Sequence, residues 1–266
     1  MKTLSNKTFE TVTQLFHSVS GIRLGAHKQA LVAGRLQKLA QEAGEADIDA
    51  YVERVMRGDT PAEEMTRLID RLTTNETYFF REPQHFKDLE QRIDGWRSSE
   101  PLRVWSAASS SGEEAYSTAM VLADRLGRRA WQVIGTDLST AMVQAASRAL
   151  YPLERARMVP QDFLERFCLK GNGKHEGMLL VSRELRERVR FLQANLMTQL
   201  PELPLFDVIF LRNVLIYFEN DAKAGIVRNV LSRLKPDGVL YIGHAESMSA
   251  LNLPIRMLGT AIYGHA

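Results

Sequence analysis

The chain has 266 residues, 45% of them hydrophobic, enough to bury one large core or two smaller ones and too many for a disordered or fibrous protein. Charged residues make up 25% with a net of only +2, so the bulk charge gives no reason to expect nucleic acid, and any basic surface must be local. The single cysteine, Cys168, excludes an intrachain disulfide framework and a cysteine-based zinc site, and it fits a reducing compartment.

The start, MKTLSNKTFETVTQLF, lacks an apolar signal core, and no run reaches the roughly 18 apolar residues of a spanning helix. The expectation is a cytoplasmic protein that inserts in no membrane. From Asn6 to about Ser98 only helical patterns occur, in FETVTQLF, ALVAGRLQKLA, AYVERVM and EEMTRLIDRL, with stops at Gly21, Gly44 and Gly58. Thr60, Pro61 and Glu63 read as a helix start in which Thr60 is the cap. This predicts an all-helical N-terminal domain over 1–72. On its second predicted helix, Lys28, Arg35 and Lys38 are spaced to share one face. Such a face is either simply solvated or a docking surface for an acidic partner.

Residues 73–98 form a linker and a helix. The linker opens with polar Thr73, Thr74, Asn75 and Thr77 and passes to the aromatic group Tyr78, Phe79 and Phe80, then Arg81. Its amides and hydroxyls could close over a small polar ligand, with Arg81 pairing with a carboxylate. Alternatively, the aromatics only pin the linker to the core.

The stretch Leu102 to Ser117 reads as strand, tight turn and helix, the helix starting at Gly112, Glu113 and Glu114. A second strand, Trp131 to Thr136, ends in Asp137. An acidic residue ending the second strand of such a βαβ unit commonly accepts hydrogen bonds from ribose hydroxyls. Gly112 and Asp137 could equally start and cap helices in any α/β protein. There is no G-x-G-x-x-G and no G-x-x-x-x-G-K-[ST], which disfavours a dinucleotide or a phosphate-cradling loop and leaves a nucleoside held by its ribose, such as S-adenosylmethionine.

Residues 151–188 break the α/β rhythm and are expected to form a small inserted β-subdomain. Gly171, Asn172 and Gly173 signal a turn beside a short strand, Met178 to Val181. That strand could offer an open edge to an extended peptide, or the segment could be a plain surface hairpin. Further core strands are predicted at Val189–Gln193, followed by Asn195 and Leu196, at Phe206–Leu211, followed by Arg212 and Asn213, and at Val239–Gly243. A helix from Asp221 to Leu234 precedes the last of these, and two final strands lie near Ile255–Leu258 and Ala261–Tyr263. Ligands of open parallel sheets sit beyond the carboxyl ends of the strands, so Asp137, Asn195 and Asn213 should converge. The six histidines show no metal-ligand spacing, and no metal is expected.

Taken together, TTNETYFFRE, VWSAASSSGEEAYS, IGTD, ANL, FLRNVLIYF and LKPDGVLYIGHAE make the chain resemble the CheR family of chemoreceptor methyltransferases, from about Phe9 to the last strand. The resemblance implies an α/β, Rossmann-like class I methyltransferase domain over 99–266, carrying the inserted β-subdomain and preceded by the helical domain as a receptor-docking module. It implies transfer of a methyl group from S-adenosylmethionine to glutamate carboxylates of bacterial chemoreceptors, leaving S-adenosylhomocysteine. On this resemblance the cofactor is held by Asn75, Thr77 and Arg81, by Glu113, by Asp137 at the ribose, by Asn195 and Leu196 at the adenine, and by Arg212 and Asn213 near the methionyl part. Lys28, Arg35 and Lys38 face the receptor. The insertion Gly171 to Gly173 is similar to that of members that bind a pentapeptide at the receptor's C-terminus. The sequence departs from many methyltransferases outside this family in having one glycine in AASSSGEE where they have several.

A glutamate carboxylate is already ionised at neutral pH and needs no general base, which agrees with the lack of an evident catalytic base. Tyr217 could orient that carboxylate, or simply pack in the core. The expected partners are chemoreceptor helices and the receptor tail, with no nucleic acid, and the protein is expected to be a monomer. Two alternatives stay open on the sequence: a methyltransferase for another substrate, and a non-catalytic module that binds S-adenosyl ligands. Against base methylation under the first, the fourth predicted strand ends in Arg212, Asn213 and Val214 rather than the Asn-Pro-Pro-aromatic turn typical of exocyclic-amine enzymes.

Overall fold

The structure is a computed structural model that describes residues 4–96 and 98–266. The expected segments 1–72 and 73–98 include Met1–Thr3 and Arg97, which lie outside the described residues. The chain divides into two compact units, one running to Thr74 and taking in Ser139–Ala141, the other made of Asn75–Leu138 and Met142–Ala266. The linker therefore belongs with the second unit from Asn75 on. Among the described residues no helix is long and apolar enough to cross a membrane.

The first unit holds helices α1 (Asn6–Ser20), α2 (Gln29–Glu42), α3 (Ile48–Arg57) and α4 (Ala62–Leu72). Ser5 caps α1 by accepting the Thr8 N–H at 3.2 Å, and Asp47 caps α3 by accepting the Ala50 N–H at 2.8 Å. Gly21 and Gly58 end α1 and α3 in the left-handed region that only glycine enters without strain. Thr60 does not cap α4. Pro61 takes that position with extended ψ, so the helix begins one residue later than its cap signal suggests. Apolar residues at helical spacing close the core of this unit, among them Val12, Phe16, Leu36, Tyr51 and Leu68.

The second unit opens with α5 (Pro83–Asp94), then β1 (Leu102–Ala107), α6 (Glu113–Leu126), β2 (Trp131–Asp137) and, from Met142 on, α7 (Thr140–Arg148). The insertion follows, with β3 (Leu150–Pro152), α8 (Gln161–Phe167), β4 (Cys168–Lys170) and β5 (Met178–Val181). A short α9 (Arg183–Arg186) leads to β6 (Val189–Gln193), β7 (Phe206–Leu211), α10 (Asn220–Leu231), β8 (Leu234–Ile242), β9 (Ile255–Gly259) and β10 (Ile262–His265).

The main sheet runs β6-β2-β1-β7-β8-β10-β9. Its first five strands are parallel, and β10 lies antiparallel between β8 and β9. Alternating side chains build two apolar layers. Val104, Val133, Phe210 and Tyr241 pack with α5 and α6, while Trp105, Ile134, Ile209 and Leu240 pack with α10. Both faces of β7 are buried, which explains its unbroken apolar run, FDVIFL apart from Asp207. This is the Rossmann-like α/β architecture expected.

The largest departures from expectation are at β8 and in the insertion. The helix before β8 ends at Leu231, and β8 starts at Leu234. Phe206 faces Leu234 and Val208 faces Val239, so the Lys235–Gly238 turn signal is absorbed as a bulge within the strand. The insertion is a three-stranded antiparallel sheet of order β3-β5-β4. Met178–Val181 is its central strand, paired on both sides, and so offers no open edge; the outer edges belong to β3 and β4.

Candidate active site

Site geometry begins where β1 ends. The chain from Ala107 to Gly112 turns sharply, with Ala108 and Ser110 at φ of +60° and +49° and Gly112 at +96°. A Cβ on Gly112 would stand 2.8 Å from Ala146 Cβ and 3.0 Å from the Tyr151 hydroxyl oxygen, so both conformation and space require glycine. The turn delivers Ser110, whose N–H donates to Asp137 Oδ2 at 2.8 Å, and whose hydroxyl donates to the Asn75 carbonyl at 3.3 Å. Asp137 is thus oriented at the carboxyl end of β2, with the linker beside the same turn.

Next to Asp137 lies the end of β6. Asp137 is in register with Gln193, and its carbonyl accepts the Ala194 N–H at 2.9 Å. This places half-buried Asn195 and buried Leu196 just past that pairing. The Asn195 side-chain oxygen accepts the Met197 N–H at 2.9 Å, which fixes the turn.

The linker is held by its aromatics. Phe79 and Phe80 are buried, Phe79 meets Tyr151 edge-on at 4.9 Å, and the Phe80 N–H donates to Ser117 Oγ at 2.9 Å. Thr77 and Arg81 stay half-buried. Arg81 donates to the Glu76 carbonyl at 2.9 Å and lies 5.9 Å from the centre of the Tyr78 ring.

Glu113 is placed differently from a free ligand group. Its side chain is fully buried, one carboxylate oxygen facing Arg155 and the other accepting the Ser111 hydroxyl at 2.7 Å. Arg212 is likewise buried under the site, beside the stacked rings of Phe86 and Phe210. It donates to the Arg81 carbonyl and lies 3.4 Å from a carboxylate oxygen of each of Glu82 and Glu114. Burial pushes the Glu82 carboxyl up, but Arg212 and the Asn213 amide outweigh it and hold the group below its ordinary range. At Glu114 burial wins over Arg212, and the carboxyl sits above that range. Asn213 has φ of +57° and donates to Glu82 Oε1 at 3.1 Å. Tyr217 is half-buried in the single 3-10 turn Leu215–Tyr217 after β7.

The fold also brings Glu82, His85 and His244 together, their donor atoms within 4.8 Å of one another. Sequence spacing could not show this, because His244 comes from the far end of β8. The Arg212 guanidinium beside Glu82 already supplies the cation there. Burial, Arg212 and His244 push the His85 imidazole down to about 4, against the opposing pull of Glu82. A histidine depressed in the folded state contributes stability above its unfolded pKa of about 6.5, and that contribution is lost as pH falls toward the folded value. The expected result is a loss on the order of 3 kcal/mol between pH 6.5 and 4 from this residue. Thermal melting of the wild type against His85→Asn across that range checks it, the variant having the flatter profile; equal slopes would remove His85 as the cause.

The docking candidates lie in the first unit. Lys28 closes a 3-10 turn, Ala26–Lys28, just before α2, not on it. Arg35 donates to the Leu72 carbonyl at 2.6 Å and to Thr74 Oγ1 at 3.2 Å, which ties down the end of α4. Lys38 is exposed and lies 3.9 Å from Glu42. In the inserted sheet the Gly171 N–H donates to the Met178 carbonyl at 2.9 Å, and a Cβ there would stand 1.9 Å from the His175 carbonyl oxygen. Gly173 has φ of +52°. Asn172 between them begins the 3-10 turn Gly173–His175.

Residues that sequence reasoning missed are Ser110, Ser111, Arg155, Glu82 and Glu114. The serines were visible as small turn residues. The partners of the charged groups were not, because they lie far away in the chain.

Residues 75–263 match the family profile described as CheR methyltransferase, SAM binding domain, and residues 7–73 match CheR methyltransferase, all-alpha domain. The chain is 37% identical over 263 residues to the "Chemotaxis protein methyltransferase" of Escherichia coli (strain K12), covering 98% of this chain and 91% of that protein. It is 37% identical to the Salmonella typhimurium protein of the same name, with 98% and 90% covered. To "Chemotaxis protein methyltransferase 2" of Pseudomonas aeruginosa it is 33% identical over 271 residues, with 98% and 94% covered.

Proposed function

The chain belongs to the CheR methyltransferase family, and we propose that it methylates the side-chain carboxylates of glutamates on chemoreceptor helices. It is an S-adenosylmethionine-dependent methyltransferase of chemotaxis. The observation that carries the site assignment is the convergence of Asp137, Ser110 and Asn75 at the carboxyl ends of β1 and β2.

These residues fit an adenosyl ligand. A carboxylate at the end of β2, held in place by the Ser110 N–H, suits vicinal ribose hydroxyls, and a tight turn of small residues leaves the backbone approachable. S-adenosylmethionine, when bound, supplies a methyl group already activated by the sulfonium charge. Asp137 accepts the ribose hydroxyls; Asn195 and Leu196 border the adenine; Asn75, Thr77 and Arg81 close over the methionyl end. Glu113, with its carboxylate tied to Arg155 and Ser111, and Arg212, tied to Glu82 and Glu114, support the pocket by fixing its walls. Asn213 and Tyr217 stand at the end of β7, where Tyr217 can orient the incoming carboxylate.

The glutamate nucleophile has a pKa of about 4.3 and arrives ionised, so the chain has no proton to remove. Its work is to align carboxylate and methyl group and to exclude water, and alignment alone can supply roughly 7–11 kcal/mol. The basic residues Lys28, Arg35 and Lys38 would steer acidic receptor surface toward the helical unit, Arg35 mainly through its fixed position at the end of α4. The glycine turn Gly171–Asn172–Gly173 beside the outer strand β4 would bind the receptor's C-terminal pentapeptide. Action as a cytoplasmic monomer completes the reading.

Labelled-methyl transfer to a receptor cytoplasmic fragment tests it. The expected label is base-labile, as an ester requires, and the initial rate falls by at least about 100-fold when the receptor tail is removed, because a tether raises effective concentration without new active-site contacts. Base-stable label, or none, would overturn glutamate methylation. An unchanged rate without the tail would overturn tethering alone.

A further inference from the structure

Glu246 lies four residues past the end of β8, in the GHAE stretch, and no role follows for it from the cofactor or docking assignments. It is buried, and all of its hydrogen-bonding capacity is turned onto backbone. Oε1 accepts the N–H groups of Leu215 at 2.7 Å and Ile216 at 3.3 Å. Oε2 accepts those of Asn213 at 2.9 Å and Gly243 at 2.7 Å. The first three amides belong to the turn that follows β7, after the sheet ladder has ended at Leu211 and can no longer satisfy them. The fourth belongs to the end of β8, the parallel neighbour of β7. One carboxylate therefore clamps the ends of two adjacent core strands.

Local sequence is shaped to admit it. A Cβ at Gly243 would stand 2.7 Å from Glu246 Oε2 and 2.7 Å from Asn213 Nδ2, so any other residue there would push the carboxylate away. Asn213 sits at φ of +57°, in the left-handed region that asparagine enters more readily than other non-glycine residues. Its N–H is one of the four clamped donors. Glu246 itself is fixed by a turn in which its N–H donates to the Gly243 carbonyl at 2.9 Å.

We propose that Glu246 is a positioning residue for methyl transfer, its carboxylate gathering the N–H groups of Asn213, Leu215, Ile216 and Gly243 and so fixing the turn that carries Asn213 and Tyr217. The role rests on the function proposed above. It separates two jobs along the sheet rim: the ends of β1, β2 and β6 hold the nucleoside, while the clamped end of β7 holds Asn213 near the methionyl part and Tyr217, which meets the reacting carboxylate. Loss of the clamp should slow transfer without releasing the nucleoside.

Glu246→Gln and Glu246→Asp in the full chain test this. Glutamine keeps the shape but turns an NH2 group toward amide donors, which cannot pair with it; aspartate keeps the charge but is too short to reach all four. Glu246→Gln is expected to lower kcat by about 10- to 100-fold, Glu246→Asp by less, while S-adenosylhomocysteine affinity measured by calorimetry shifts by less than about 3-fold. Circular dichroism supplies the folded fraction, to which every rate is normalised. The role is overturned if kcat per folded molecule is unchanged in Glu246→Gln, or if nucleoside affinity falls in parallel with kcat, as general loosening would require. If Glu246→Gln does not fold, Glu246→Asp decides by the same two readings. A wild type that binds S-adenosylhomocysteine but transfers no methyl to receptor would instead overturn the proposed substrate, and the positioning role with it.

Discussion

Asp137→Ala should raise the dissociation constant for S-adenosylhomocysteine by about 100-fold, read by calorimetric titration against the wild type. A hydrogen bond to a charged acceptor is worth roughly 1.5–3 kcal/mol, and a carboxylate holding two ribose hydroxyls makes two of them. The loss is partly offset because the freed hydroxyls return to water, so about 3 kcal/mol, close to two powers of ten, is the reasonable expectation. A second effect adds to it. Asp137 Oδ2 accepts the N–H of Ser110, a residue at φ of +49° whose hydroxyl reaches the Asn75 carbonyl. Without the carboxylate that turn loses its anchor, and the linker wall is disturbed along with the ribose contact. Asp137→Asn separates the two contributions. It retains one acceptor that can face Ser110 and should therefore cost only about 10-fold. Near-native affinity in Asp137→Ala would show that the ribose is held elsewhere and that Asp137 is only a brace for the turn.

How much of this could be read beforehand depended on the range of the interaction. The strands at Trp131–Asp137, Val189–Gln193 and Phe206–Leu211 were legible because apolar runs bounded by polar ends are local signals, and Asp137 was legible because it ends one of them. The β8 boundary was not. Pro236 and Gly238 signal a turn, yet the pairing of Phe206 with Leu234 carries the strand through them. Lys28, Arg35 and Lys38 show the same limit in a helix. Spacing could place them on a face, but it could not reveal that Lys28 precedes α2 or that the Leu72 carbonyl waits opposite Arg35. The open edge expected of Met178–Val181 depended on how many strands the insertion contains, which is a matter of tertiary pairing. The charged network beneath the site was the least visible. Arg212 lies far in sequence from both Glu82 and Glu114, and only the fold decides that they meet.

That network gives the second large effect. Arg212→Met should destabilise the protein by about 3 kcal/mol, because it leaves Glu82 and Glu114 half-buried with no cation between them. Methionine fills much of the space beside the stacked rings of Phe86 and Phe210, so the loss is one of charge more than of packing. The pH dependence identifies the cause. In the wild type Arg212 helps hold the Glu82 carboxyl below its ordinary range despite burial, so Glu82 contributes stability above the unfolded carboxylate pKa and loses it only as pH falls through the folded value. With Arg212 removed, burial dominates at both carboxyls and raises them. Their ionised forms then cost stability at neutral pH, and protonation relieves the cost as pH falls. His85 acts in the same sense, since Arg212 is one of the groups that depress it, and its removal makes protonation of the ring easier. The gap in melting temperature between wild type and Arg212→Met should therefore be widest near pH 8 and narrow toward pH 5. Arg212→Lys restores a cation but not the planar fork that reaches both carboxylates and the Arg81 carbonyl, and it should recover only part of the loss. A gap that stays constant with pH would mean that Arg212 matters for packing alone. In that case the Glu82 carboxyl is held below its ordinary range by something other than this guanidinium.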